Sequence, residues 1–377
     1  MDAEIRADFP VTRELVYLDT AYDGPCPVPV IEAGKAFLER RARGVAGRVD
    51  DWMLVAHEVK DLVGKLINAK LGEIAITTNT TEGTNIVATS LGLGPGDSVV
   101  WDDLDFPSNA AVWFNLERAR GVKNRIVRSA QGRVDLSDFE RLVDSSTRLV
   151  TVSHVSHTNG YVHDLKSLAD LAHARGAYLH VDGIQAVGAI GVDVREAGID
   201  FLTAGAYKWL LGPMGVAFLY VREELIPKLQ PACAGWRGVK AWADDLPVRP
   251  PELHADARKF EVASVHFQGL YELKAALEYI HRIRMDRIEP QVLRLSSKLW
   301  SGLHNLGFEL KTPSEPSSGI VTCILRDVEE TAQALRDANI VATFRAGNQL
   351  RVSPHFFNTA DEVDSLLEVL ATVGARS

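Results

Sequence analysis

Over residues 71–221 short apolar runs alternate with helix-length segments, and this alternation limits what the chain can fold into. The runs at 74–78, 98–102, 149–153, 178–182, 201–204 and 216–221 are rich in Val, Ile, Leu, Phe and Ala. They are nearly continuous rather than alternately polar, so each reads as a strand buried on both faces. Helical patterns, notably 83–91 and 165–174, lie between several of them. Buried strands joined by helices predict an α/β fold with a mostly parallel sheet covered on both sides. Beyond 221 the pattern changes. A polar, proline-bearing stretch at 241–258 precedes helical runs at 268–285 and 290–306, then strands near 320–325 and 350–353. A last helix at 360–373 carries Val363, Leu366, Leu367 and Leu370 at helical spacing. This divides the chain into a large domain over 16–250 and a smaller α+β C-terminal domain over 251–377, with residues 1–15 packed near the latter.

An open parallel sheet binds ligands outside the carboxyl ends of its strands, and two polar residues stand at such ends. Lys208 follows the run at 201–204, among small residues and ahead of a Gly-Pro turn. An unpaired buried ammonium is costly. One use for such a lysine is as a Schiff-base former, because desolvation frees the amine as a nucleophile. A surface lysine at a strand end is the plainer reading. Asp182 closes the run at 178–182 and is followed by Gly183 and Gln185. Alone it reads equally well as a helix cap. Together, a lysine and an acid opening into one crevice suit pyridoxal 5'-phosphate. The lysine binds its aldehyde, and the acid keeps the ring nitrogen protonated so that the ring acts as an electron sink.

Several other functions are disfavoured. The net charge is −9, with no basic run, so nucleic acid is not an expected partner. No apolar stretch reaches membrane-spanning length, and residues 1–6 lack a signal-peptide core. The 3 cysteines have neither metal-type spacing nor a disulfide pattern, which predicts a reducing, cytoplasmic setting and no metal site. The glycines at 92–96 follow a helical pattern rather than a strand, so they fail the context that a nicotinamide site requires.

The motifs in combination resemble the class-V aminotransferase family of fold-type I pyridoxal-phosphate enzymes, which includes cysteine desulfurases, selenocysteine lyase, isopenicillin N epimerase-like proteins and kynureninase. The likeness runs from Tyr17 to Thr359. It implies that the segment at 77–85 is a phosphate loop, with Thr80 and Thr81 as hydroxyl donors at a helix start. Phe106 stands where desulfurases have a histidine that stacks on the cofactor ring; a phenylalanine stacks without offering a proton. His157 replaces an asparagine near the phenolic oxygen, and is expected to bond that oxygen, assist proton transfer or serve only structurally. Gln185 matches the family glutamine that bonds the same oxygen, and Tyr207 would reach the phosphate. The segment at 260–264 resembles one that contributes to a partner's phosphate site, which implies a homodimer with shared active sites and assigns the hydroxyl to Ser264. Arg351 matches the arginine that clamps the substrate carboxylate, with Arg345 as a second candidate.

One departure shapes the chemistry. Desulfurases of this branch carry a long loop with a catalytic cysteine between the equivalents of Gly347 and Arg351, where this chain has only Asn348, Gln349 and Leu350. A persulfide-forming desulfurase is disfavoured. The expected function is action at the α-carbon of an amino acid, with Lys208 moving the α-proton. The favoured outcome is β-elimination of the C–S lyase type on a cysteine-derived or otherwise substituted amino acid. Transamination, epimerisation and a non-catalytic binding protein of the same fold are the alternatives. Tyr22, Asp23, Trp236 and Arg237 are candidates for the pocket wall.

Overall fold

The computed structural model describes residues 3–45, 47, 49–240, 252–314 and 316–374. The domain boundary expected between 250 and 251 lies outside the described residues, as does most of the polar stretch expected at 241–258. The strands are β1 (Val16–Tyr17), β2 (Ile74–Thr77), β3 (Ser98–Asp102), β4 (Lys123–Val127), β5 (Thr147–Ser153), β6 (Tyr178–Asp182), β7 (Phe201–Gly205), β8 (Ala217–Val221), β9 (Val321–Ile324), β10 (Ile340–Val341), β11 (Thr343–Arg345) and β12 (Gln349–Val352).

A seven-stranded sheet is ordered β2-β8-β7-β6-β5-β3-β4. β8 runs antiparallel to both neighbours, and the other adjacent pairs are parallel. All strands but β8 therefore point one way and present their carboxyl ends on one side. Every residue of β2, β3, β7 and β8 is buried. Successive side chains go to opposite faces, as a pleated strand requires. Val100, Leu202 and Phe218 join one core with the helices Val49–Ile67 and Phe267–Ile283; Val99, Phe201 and Leu219 join another with Thr80–Ser90 and Pro107–Arg120. The fold is the doubly covered α/β sheet expected from the buried runs.

A three-stranded antiparallel sheet, ordered β11-β12-β9, packs on Met285–Asn305 and Ala360–Gly374 around Leu299, Val321, Leu350 and Leu366. The helix expected to open at Pro290 begins at Met285. Arg284, at φ 77°, breaks the chain there and separates it from the preceding helix. The amino-terminal segment ties these parts together. β1 pairs with β10, Arg6 bonds Glu362 at 2.7 Å, and the Gly24 amide reaches the Tyr207 carbonyl at 2.8 Å. No helix among the described residues is long and apolar enough to cross a membrane.

Candidate active site

The loops leaving the carboxyl ends of β2, β3, β5, β6 and β7 enclose a cavity of about 220 Å³. Its lining includes Thr80, Thr81, Phe106, His157, Asp182, Gln185, Tyr207 and Lys208. An adjoining cavity of about 590 Å³ shares several of these and adds Tyr22, Met214, Arg345 and Arg351. Of the residues nominated from sequence for catalysis, cofactor or substrate binding, Ser264 lines neither cavity; it is exposed in the loop before Phe267–Ile283.

Lys208 is only 7 % exposed, and its Nζ has no hydrogen-bond partner among the described residues. Burial pushes its amine down to about 8; the nearby Asp182 carboxylate opposes that shift, and Arg351 and Arg345 add to it. Gly24 fixes the lysine backbone, since a Cβ there would lie 2.0 Å from the Lys208 carbonyl oxygen. Only glycine permits this approach. Asp182 is likewise buried, and burial raises its carboxyl. The Ile184 amide donates to Oδ1 at 3.0 Å and Asn109 Nδ2 to Oδ2 at 2.9 Å. Asn109 Nδ2 also donates to Asp105 Oδ1 at 3.0 Å, which in turn accepts from Ser153 Oγ at 2.6 Å. Burial and then Asp102 push Asp105 up to about 7.

At the other end, Asn79 caps the helix Thr80–Ser90 by accepting from the Glu82 amide at 2.8 Å, while Glu82 reaches back to the Thr78 amide at 2.6 Å. The cap thus has the ordinary structural role that its sequence permits. Thr80 is not spent on it: its Oγ1 is buried without a hydrogen-bond partner. A free hydroxyl and unpaired amides at a helix start form an anion site.

Between the two ends, the Phe106 ring centroid lies 5.9 Å from Lys208 Nζ. His157 meets that ring edge-on, with centroids 5.0 Å apart. Burial, followed by Arg345, Arg351 and Lys208, lowers the His157 imidazole to about 3, so it is neutral at physiological pH, and its Nδ1 has no partner. Gln185 is held at both ends of its amide: Trp209 Nε1 donates to Oε1 at 2.8 Å, and Nε2 donates to the Ala21 carbonyl at 2.9 Å. One Nε2 hydrogen remains for a ligand.

Arg351 is buried. Its Nη1 donates to the His157 carbonyl at 3.0 Å, Nη2 to Thr343 Oγ1 at 3.4 Å, and Asp19 Oδ1 lies 3.7 Å away. Its Nε is orphaned. Arg345, on the same hairpin, has no ion pair or hydrogen bond among the described residues. Of the proposed wall residues, Tyr22 lines the outer cavity, whereas Asp23, Trp236 and Arg237 do not. Arg237 instead pairs with Glu261, which also holds Lys60 at 3.2 Å. No cysteine is among the described lining residues; Cys323 is buried in β9, Cys233 is exposed and Cys26 is half-buried.

Sequence reasoning missed Asn109, Asp105, Trp209, Asp19 and Gly24. The spacing of Asp105 and Asn109, four apart across a helix start, was available as a signal. Nothing local marks the other three, because their partners lie far along the chain. The residues present fit pyridoxal phosphate. An unpartnered Thr80 hydroxyl stands at a helix start, a buried carboxylate lines the same cavity, and a depressed, unpaired lysine lies alongside an aromatic face.

The same arrangement places the chain among known proteins. The model of the class-V aminotransferases matches residues 16–366, and the chain belongs to that family. A probable cysteine desulfurase of Methanothermobacter thermautotrophicus is 32% identical over 98% of this chain and 97% of its own. The apo structure of a cysteine desulfurase from Thermococcus onnurineus superposes with a TM-score of 0.89 at 29% identity, covering 99% of this chain and 98% of that one. The cystine C–S lyase C-DES, solved with its product cysteine persulfide, gives a TM-score of 0.90 at 22% identity over 97% of this chain and 99% of its own; that likeness shows the fold.

Proposed function

We propose that the protein eliminates a sulfur-linked leaving group from a cysteine-derived amino acid, as a C–S lyase. It is a pyridoxal-phosphate-dependent enzyme. When bound, that cofactor supplies an aldehyde and a protonated ring that draws electrons from bonds at the substrate α-carbon. Thr80, Thr81, the helix start behind them and Tyr207 hold its phosphate. Asp182 offers a carboxylate to the ring nitrogen, and Asn109 and the Ile184 amide keep that carboxylate aimed. Phe106 would stack on the ring, and the remaining Gln185 hydrogen would serve the phenolic oxygen. Arg351 receives the α-carboxylate through the Nε that the protein leaves unpaired. Lys208 Nζ, with its amine near 8, is matched to taking a proton from the α-carbon close to neutral pH. His157 is uncharged, so it acts as a hydrogen-bonding wall rather than as a proton source. Ser264, outside its own chain's cavities, is assigned to the phosphate site of a second copy in a homodimer.

The observation that carries the elimination reading is a free lysine in a site whose described lining contains no thiol. Sulfur released there has no protein acceptor and leaves with the small molecule. The relatives named as cysteine desulfurases support chemistry at a C–S bond. The test is to incubate the holoenzyme with cysteine thioethers and measure pyruvate, ammonia and free thiol in equal amounts. Consumption of a keto-acid acceptor without pyruvate would instead establish transamination.

A further inference from the structure

Resting on that reading, we infer that the substrate carries a second anionic group on its side chain, received by Arg345 while Arg351 holds the α-carboxylate. The outer cavity of about 590 Å³ is lined by Lys208, Arg345 and Arg351, and by no aspartate or glutamate among the described residues. Arg345 and Arg351, two guanidiniums facing one space, repel one another, and field lines gathered in a concave site favour an anionic occupant. Of the acids near this space, Asp23 and Asp182 stand by Lys208, and Asp19, behind Arg351, is already committed. Thr343 Oγ1 shares its one hydrogen between both of its oxygens, at 2.6 and 2.7 Å, and Arg351 Nη2 lies 3.7 Å away. Arg345 is left without a counter-ion among the described residues.

Register sets the two arginines at neighbouring positions. Thr343 stands opposite Arg351 and Arg345 opposite Gln349 in the β11–β12 hairpin. Thr343 and Arg345 are two apart on one strand, so they share a face, and Arg351 opposite Thr343 shares it too. Arg345 and Arg351 are therefore diagonal neighbours, which stand roughly 7–8 Å apart across a sheet. Two long side chains that rise from neighbouring positions into one cavity can each take a separate anion of one ligand, which a simple amino acid such as alanine or cysteine does not provide. The Gly347 and Asn348 turn, at φ 75° and 56°, closes the hairpin tightly and holds both arginines on one short, ordered unit.

The test compares S-carboxymethyl-L-cysteine with S-carbamoylmethyl-L-cysteine, which match in length and shape and differ in one charge. Binding to the holoenzyme is read by calorimetry and by the visible band of the bound cofactor. The acid binds the wild type roughly 10- to 100-fold more tightly than the amide, the range of a charge-assisted bond. The advantage shrinks as salt rises. In Arg345→Gln the acid-to-amide ratio falls to near one, and Arg345→Lys keeps part of it. Equal affinities in the wild type overturn the inference without any variant, and so does a preference that survives Arg345→Gln. Binding of neither ligand overturns it together with the reading beneath it. Charge-selective binding without pyruvate supports the inference and removes only the elimination chemistry.

Discussion

The lysine itself offers the sharpest test. Burial lowers the Lys208 amine from 10.5 to about 8, and the Asp182 carboxylate limits the fall. At pH 7 about a tenth of such a lysine is free amine, against roughly 0.03 % for one titrating at 10.5, an advantage of about 300-fold. Competitive labelling of the cofactor-free protein with trace acetic anhydride, followed by mass spectrometry of the Lys208 peptide, measures that fraction at each pH. The expected midpoint lies near 8, and Asp182→Asn moves it lower by removing the charge that favours the ammonium. The same group makes stability depend on pH. Between about 8 and 10.5 the folded protein has released a proton that the unfolded chain keeps, so raising the pH through that window favours the fold. The gain is at most roughly 3 kcal/mol, and Lys208→Met abolishes it. A labelling midpoint near 10, or an upward move in Asp182→Asn, would refute the claim that desolvation activates this amine.

Two further outcomes follow from packing. Gly24→Ala drives a methyl into the Lys208 carbonyl; we expect a loss of about 1–3 kcal/mol in denaturant titrations with weakened cofactor binding, and unchanged values for both would show that the segment yields freely. Glu261→Gln leaves Lys60 and Arg237 as buried cations without their shared carboxylate. It should cost about 3–5 kcal/mol by the same measurement, and a near-neutral result would mean that water or rearrangement replaces the charge.

How legible these features were depends on where their partners lie. Strands such as β7 and β8 are buried on both faces, so their composition alone reveals them. β4 is an edge strand reading Lys-Asn-Arg-Ile-Val, exposed at its start and fully buried only at Val127, and nothing in that run resembles a core strand. Lys208 and Asp182 stand out because charged groups closing apolar runs are anomalous wherever they occur. Phe106 and Thr80 drew attention through motif likeness, and the structure gathers them into the same cavity. Trp209 gives no such sign: it follows the lysine as an ordinary aromatic, and only the folded chain places its Nε1 on Gln185. Asp19 and Thr343 are equally silent, since the bonds between them span nearly the whole sequence.

The hairpin that carries both arginines is built long after the sheet that carries the lysine. In chain order the cavity-lining residues from Thr80 to Lys208 come first, and Arg345 and Arg351 follow more than a hundred residues later. Asp19, near the start of the chain, meets Thr343 and Arg351 of that hairpin, so the arginines are anchored from the opposite end of the sequence to the one that forms them.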